Sequence, residues 1–210
     1  MSRRPRLLLS GVPLHIIQRG HNRQQCFFSD SDFLVYLEWL RKHGTAIGCS
    51  THAYVLMSNH VHILASFEEV MLAPEMMRRL AQQYTLYLNR RLGRTGSVWE
   101  GRFWSHPVPT ERYFMKCHRY IEANPVRALM VDHQQRYRWS SYRGNAGFDK
   151  DRLLCPHELY RRLGLNETER IMNYRRLSDC ELSAEELWEI RGLMNAPAPR
   201  GRPRNPPVER

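Results

Sequence analysis

Ser50-Thr51-His52-Ala53-Tyr54-Val55-Leu56-Met57-Ser58-Asn59-His60-Val61-His62-Ile63-Leu64-Ala65-Ser66 decides the architecture. Two runs rich in apolar and β-branched residues flank a Ser58-Asn59 turn, so Ser50 to Met57 and His60 to Ser66 read as neighbouring strands. Toward the N-terminus, Leu14 to Gln18 reads as an earlier strand, in which Leu14, Ile16 and Gln18 alternate with His15 and Ile17. It ends in Arg19-Gly20-His21-Asn22-Arg23, a polar turn with two arginines. Ser29-Asp30-Ser31-Asp32 offers N-cap residues. Phe33, Tyr36, Leu37 and Leu40 follow at helical spacing, with Gly44 and Gly48 at the helix end.

Toward the C-terminus, Pro74 to Arg91 reads as a long helix. Pro74 suits its first turn, and Met77, Leu80, Tyr84 and Leu88 form one stripe. Val98 to Pro109 carries strand-like aromatic sequence. Thr110 caps a helix from Glu111 to about Asn124, which Pro125 should stop. The order β-α-β-β-α-β-α is a split β-α-β pattern of the α+β class, an antiparallel sheet backed by helices. Short helical pieces follow at Pro156–Leu163, Asn166–Tyr174 and Ser183–Met194. Three regions result: 1–150 with the sheet and the chemistry, 151–195 as a small helical extension, and 196–210 as a basic, disordered tail.

The formal net charge of +11 and the composition point to nucleic acid, because each phosphate neutralised releases counterions. Of 32 basic residues only Lys42, Lys116 and Lys150 are lysines, and arginine forks suit phosphate and guanine edges. The five cysteines are odd in number and widely spaced, with no C-x-x-C pair. That argues against a disulfide framework or zinc finger and fits a reducing cytoplasm. No stretch approaches the roughly 18 apolar residues of a membrane span.

Three segments carry chemistry. His60 and His62, two apart on a strand, face one way and can reach a single divalent ion. Tyr120 lies on a helix in Tyr120-Ile121-Glu122-Ala123-Asn124-Pro125-Val126-Arg127. There Tyr113, Tyr120 and Asn124 share a face beside the apolar Phe114, Cys117 and Ile121. A tyrosine nucleophile needs help, since its ordinary pKa is about 10; a metal on the scissile phosphate supplies it, and Asn124 offers an amide oxygen as third ligand. Trp99-Glu100-Gly101-Arg102-Phe103-Trp104-Ser105-His106 interleaves aromatics with arginine, which suits stacking of unpaired bases.

Together these blocks resemble the HUH single-tyrosine transposases and, within them, the REP-associated tyrosine transposases. His60-Val61-His62, preceded by Met57-Ser58-Asn59, matches the H-hydrophobe-H motif. The Tyr120 segment looks like the Y-I-x-x-N-P-V block, and Trp99 to His106 is similar to W-x-x-R-F-W. Gln18-Arg19-Gly20-His21-Asn22-Arg23 resembles Q-R-G-N-N-R, with His21 in place of an asparagine. The resemblance spans roughly residues 10–145. It implies a ferredoxin-like sheet with helices on one face (the HUH endonuclease fold) and Mg²⁺ or Mn²⁺ held by His60, His62 and Asn124. It also implies Tyr120 attack on single-stranded DNA at hairpins, giving a 5′-phosphotyrosine and a free 3′-OH. Wider relatives carry glutamine where this chain has Asn124, one methylene shorter. Such proteins are bacterial and nucleoid-associated, and act as a monomer or homodimer. Arg19, Arg23, Arg102 and Trp104 are the expected DNA contacts. In the tail, Pro199-Arg200-Gly201-Arg202-Pro203-Arg204 looks like an AT-hook core, which would place Arg200 and Arg202 in the minor groove of A·T duplex. The competing readings are a non-catalytic DNA- or RNA-binding protein on the same fold, and a nuclease that uses water as nucleophile.

Overall fold

The computed structural model describes residues 7–195; the tail, with Arg200 and Arg202, lies outside the described residues. Four strands form one antiparallel sheet: β1 (Leu14–Arg19), β2 (Cys49–Leu56), β3 (His60–Phe67) and β4 (Trp104–Pro107), in the order β2-β3-β1-β4. β2 and β3 are the hairpin read around Ser58-Asn59. β1 lies on the far side of β3, so α1 (Asp30–Thr45) carries the chain from β1 over β3 to β2. That is the split β-α-β arrangement, and the α+β class is as expected.

α1 begins where Ser29 and Asp32 form a capping box. The fully buried Asp32 carboxylate accepts from the backbone N–H groups of Phe28 (2.8 Å) and Ser29 (2.9 Å) and pairs with Arg91 at 2.7 Å. Arg91 lies near the end of α2 (Ala73–Leu92), so one carboxylate ties the loop before α1 to both helices. α3 (Glu111–Glu122) is capped by Thr110, whose hydroxyl oxygen accepts from the Tyr113 N–H.

Two expectations change. The strand expected over Val98–Pro109 shortens to β4, because Trp99 is drawn into an aromatic cluster with Phe27, Tyr36 and Tyr84 and is only 3 % exposed. Pro125 does not end the helical path: it sits in the first turn of α4 (Asn124–Arg127), where a missing N–H costs nothing.

Residues on both sides of β1 are buried, Leu14 and Ile16 on one, His15 and Ile17 on the other. Side chains on both faces of the sheet are therefore buried. α3 lies over the histidine face.

The remaining helices are α5 (Tyr142–Asn145), α6 (Glu158–Arg161), α7 (Glu167–Asp179) and α8 (Ala184–Asn195). They brace α3 from behind. Glu122 of α3, almost fully buried, accepts from Asn145 Nδ2 (2.8 Å), from Ser141 Oγ and from the Tyr174 hydroxyl of α7. Burial pushes its carboxyl up to about 7 despite these donors. Lys116 Nζ pairs with Glu189 of α8 at 2.7 Å.

Candidate active site

Alternation along β3 turns His60 and His62 to one face, with ring centroids 5.0 Å apart. Cross-strand register places their neighbours. Arg19 lies opposite His60, and a row Trp104–Ile17–His62–Val55 runs across all four strands. The β1 strand leaves this face through Gly20, where a Cβ would meet the Gln24 carbonyl oxygen at 2.3 Å, so no side chain fits.

A hydrogen bond fixes which ring nitrogen His60 presents. Asn59 Nδ2 donates to the Arg23 carbonyl at 3.0 Å, which turns Asn59 Oδ1 toward His60. That oxygen is 2.6 Å from His60 Nδ1, so Nδ1 carries the proton and Nε2 keeps its lone pair. The Arg23 carbonyl is brought there by left-handed backbone at Asn22 and Arg23 (φ 51° and 58°). His62 Nδ1 lies 2.9 Å from His15 Nε2, with the two rings stacked. A proton on His62 Nδ1 leaves its Nε2 bare as well.

All three imidazoles are held neutral. Burial lowers His60 to about 4, helped by the nearby Arg19 charge. Burial lowers His15 to about 3, with His106 adding to it. His62 is held well below its ordinary value, first by burial and then by His15, His60, Arg19 and Arg127. Neutral imidazoles with a free nitrogen are the form that binds a divalent cation.

α3 sets Tyr120 against this pair. Its ring, 5 % exposed, stands edge-on to His62 at 6.0 Å and to His15 at 6.3 Å. One turn later, Asn124 Nδ2 donates to the carbonyls of Tyr120 (2.9 Å) and Ile121 (3.3 Å). The amide nitrogen is thus committed to the helix, and the amide oxygen is the atom left for a ligand. The Arg127 guanidinium carbon lies over the Tyr120 ring, 4.6 Å from its centroid.

The arrangement fits a divalent ion on its donor chemistry: two neutral imidazoles on one face, His60 with Nε2 free, and an amide oxygen. No group of three or more His, Cys, Asp or Glu side chains able to hold a metal occurs among the described residues, so a third protein ligand has to come from another residue type.

The expected DNA contacts divide by position. Trp104 is 59 % exposed on β4 and faces the same way as His62. Arg102 and Arg23 are exposed, and Arg19 is half-buried beside His60. Three residues at the site had no role in the sequence reading: His15, Asn59 and Arg127. A histidine inside an otherwise apolar strand was the available signal for His15.

A family model described as "Transposase IS200 like" matches residues 9–124. No curated protein matches. Among solved structures, a REP-associated tyrosine transposase bound to a REP hairpin is similar in fold, with a TM-score of 0.59 and 16 % identity over 76 % of this chain and 93 % of that one. A bacterial tRNA(His) guanylyltransferase-like protein in complex with GTP matches at a TM-score of 0.38 and 11 % identity over 62 % of this chain and 73 % of that one. That match carries no argument. The family match spans more than half of the 210 residues and includes both histidines, the tyrosine and Asn124, and the chain belongs to the IS200-like transposase family.

Proposed function

We propose that the chain nicks and rejoins single-stranded DNA at hairpins of the REP type, with Tyr120 as nucleophile and a 5′-phosphotyrosine as intermediate. The observation that carries the reading is the Tyr120 ring 6.0 Å from His62, on a face where His60 and His62 stand together as neutral imidazoles. The similar fold solved with a REP hairpin supports the substrate class.

Tyr120 Oη attacks the phosphorus and the 3′ oxygen leaves. His60, His62 and the Asn124 amide oxygen would hold Mg²⁺ or Mn²⁺; when bound, such an ion neutralises phosphate charge and makes the phosphorus more electrophilic. Asn59 and His15 hold the two imidazoles in the tautomers that present Nε2. α3 fixes the phenol, and burial of its ring against His15 and His62 excludes water from one side. Trp104, on the same face and exposed, stacks an unpaired base of the flanking strand, while Arg19, Arg23 and Arg102 contact phosphates.

In this reading residues 1–150 carry the chemistry and 151–195 brace α3. The tail at 196–210 adds affinity, including for A·T-rich duplex through Arg200 and Arg202. The protein works on chromosomal DNA in the bacterial cytoplasm. No helix of the described residues is long and apolar enough to cross a membrane.

The test is a denaturing gel for covalent adducts, using labelled hairpin oligonucleotides with randomised flanks and Mn²⁺. Wild type should give an adduct; Tyr120→Phe should bind hairpin and give none. His60→Ala, His62→Ala or EDTA should slow the reaction by roughly three decades or more. Cleavage without an adduct would assign the attack to water, and an unchanged adduct in Tyr120→Phe would remove Tyr120 from the role.

A further inference from the structure

We propose that Arg127 is a catalytic residue whose guanidinium binds a non-bridging oxygen of the phosphate that Tyr120 attacks. The inference rests on the reading of Tyr120 as nucleophile and adds a group that reading does not contain.

The guanidinium lies over the Tyr120 ring at 4.6 Å, and its charge reaches His62, where it disfavours the protonated imidazole. Its Nη1 is buried and has no hydrogen-bond partner in the protein. A buried N–H on a cation is costly to leave unmade, and native structures almost always satisfy such groups. Four other arginines show the usual solution. Arg91 pairs with Asp32, Arg138 with Asp30, Arg143 with Asp149 and Arg162 with Glu158. Among the described residues no carboxylate is paired with Arg127; its neighbours are a phenol ring and a neutral imidazole. A positive charge kept free of carboxylates, beside a nucleophile and two neutral imidazoles, is matched by an anion brought in from outside, and the scissile phosphodiester is that anion.

The local fold holds the group in place. α4 begins at Asn124, and the Arg127 N–H donates to the Ala123 carbonyl at 3.0 Å. Tyr120, Asn124 and Arg127 are therefore presented by one short stretch of backbone at offsets of four and three residues. The nucleophile and the phosphate anchor move together or not at all.

In the step, the Tyr120 Oη–P bond forms and the P–O3′ bond breaks. The electron pair leaves with the 3′ oxygen, which takes a proton from water, and the phenolic proton passes to water. The diester carries one negative charge before and after. Between them, charge builds on the phosphoryl oxygens, and a guanidinium fixed against one of these stabilises the transition state more than the ground state.

The experiment measures single-turnover adduct formation on the hairpin oligonucleotide that wild type selects from the randomised-flank pool, with hairpin binding measured in EDTA. Arg127→Met keeps an apolar stem against Tyr120 and removes the charge. It should slow the adduct by about 100- to 1000-fold, as loss of one fixed donor does, with hairpin affinity within about threefold of wild type. Arg127→Lys keeps the charge without the planar fork and should lose about tenfold. It carries the same test if the methionine variant does not fold. The two methylphosphonate diastereomers at the cut site then separate binding from positioning. On the one lacking the oxygen that Arg127 holds, variant and wild type should react alike; on the other the loss should persist. An undiminished rate on the natural diester overturns the proposal, and so does an equal loss on both diastereomers, which would leave Arg127 only holding the Tyr120 ring. A wild type that forms no adduct with any member of the pool overturns the Tyr120 reading itself and this inference with it.

Discussion

Replacing Asn59 by alanine should weaken metal binding while leaving the chemical step intact. Asn59 Oδ1 accepts a hydrogen bond from His60 Nδ1–H at 2.6 Å, and with that acceptor gone either tautomer of His60 is open to the ring. A neutral hydrogen bond of this kind is worth about 1–1.5 kcal/mol net. Each 1.4 kcal/mol is about tenfold in a binding constant. Mn²⁺ affinity should thus fall about tenfold, the lower end of what outer-shell partners of metal ligands contribute. The assay is calorimetric Mn²⁺ titration of the DNA-free protein, beside the Mn²⁺ concentration that gives half-maximal adduct. Both should rise about tenfold, and the rate at saturating Mn²⁺ should stay within about twofold. Asn59 also donates to the Arg23 carbonyl, so alanine loosens that loop too. Asn59→Asp separates the effects: it loses the same loop bond but keeps an acceptor, now charged and stronger, and should bind Mn²⁺ at least as well as wild type. A half-saturation within twofold of wild type in Asn59→Ala would refute the tautomer role.

Trp104→Ala should lower affinity for a hairpin with single-stranded flanks by about 1–3 kcal/mol, read by fluorescence anisotropy; an equal loss on a blunt hairpin would mean that Trp104 does not stack on a flanking base. Burial holds His52 at about 4 against 6.5 in the unfolded chain, so its contribution is complete above pH 6.5 and is lost as pH falls toward 4. That is at most about 3 kcal/mol; urea midpoints should fall less steeply with acid in His52→Gln than in wild type, and parallel curves would count against the shift. Truncation after Asn195 should make binding weaker at low salt and flatten its salt dependence by about three logarithmic units per decade, with cutting of saturating hairpin near normal; a truncated protein that binds but cannot cut would place the tail in the active site.

The fold was legible because its signals are local. Period-two alternation marked β1, apolar runs around the Ser58-Asn59 turn marked β2 and β3, and Thr110 and Pro74 marked helix starts. The histidine pair was legible for the same reason, since two residues apart on a strand is a geometric statement. Tyr120 and Asn124 shared a helical face in the sequence, and in the structure Asn124 bonds back to the Tyr120 carbonyl. What the sequence could not show is cross-strand. His15 reaches His62 only because β1 pairs with β3 in one register, and in the sequence it looked like the odd member of an apolar strand. Arg127 stood inside the tyrosine block but past a proline that read as a helix stop; the continued turn in α4 swings it back over the ring. Trp99 and Trp104 share one aromatic block of the sequence, and packing sends the first into the core and leaves the second out.

The tyrosine packs against histidines of its own chain, on a helix riveted from behind through Glu122, Tyr174 and Asn145. On the proposed reading every group the cut needs comes from one chain, so a mixture of Tyr120→Phe and His62→Ala proteins should form no adduct, and adduct from the mixture would show that copies lend each other α3.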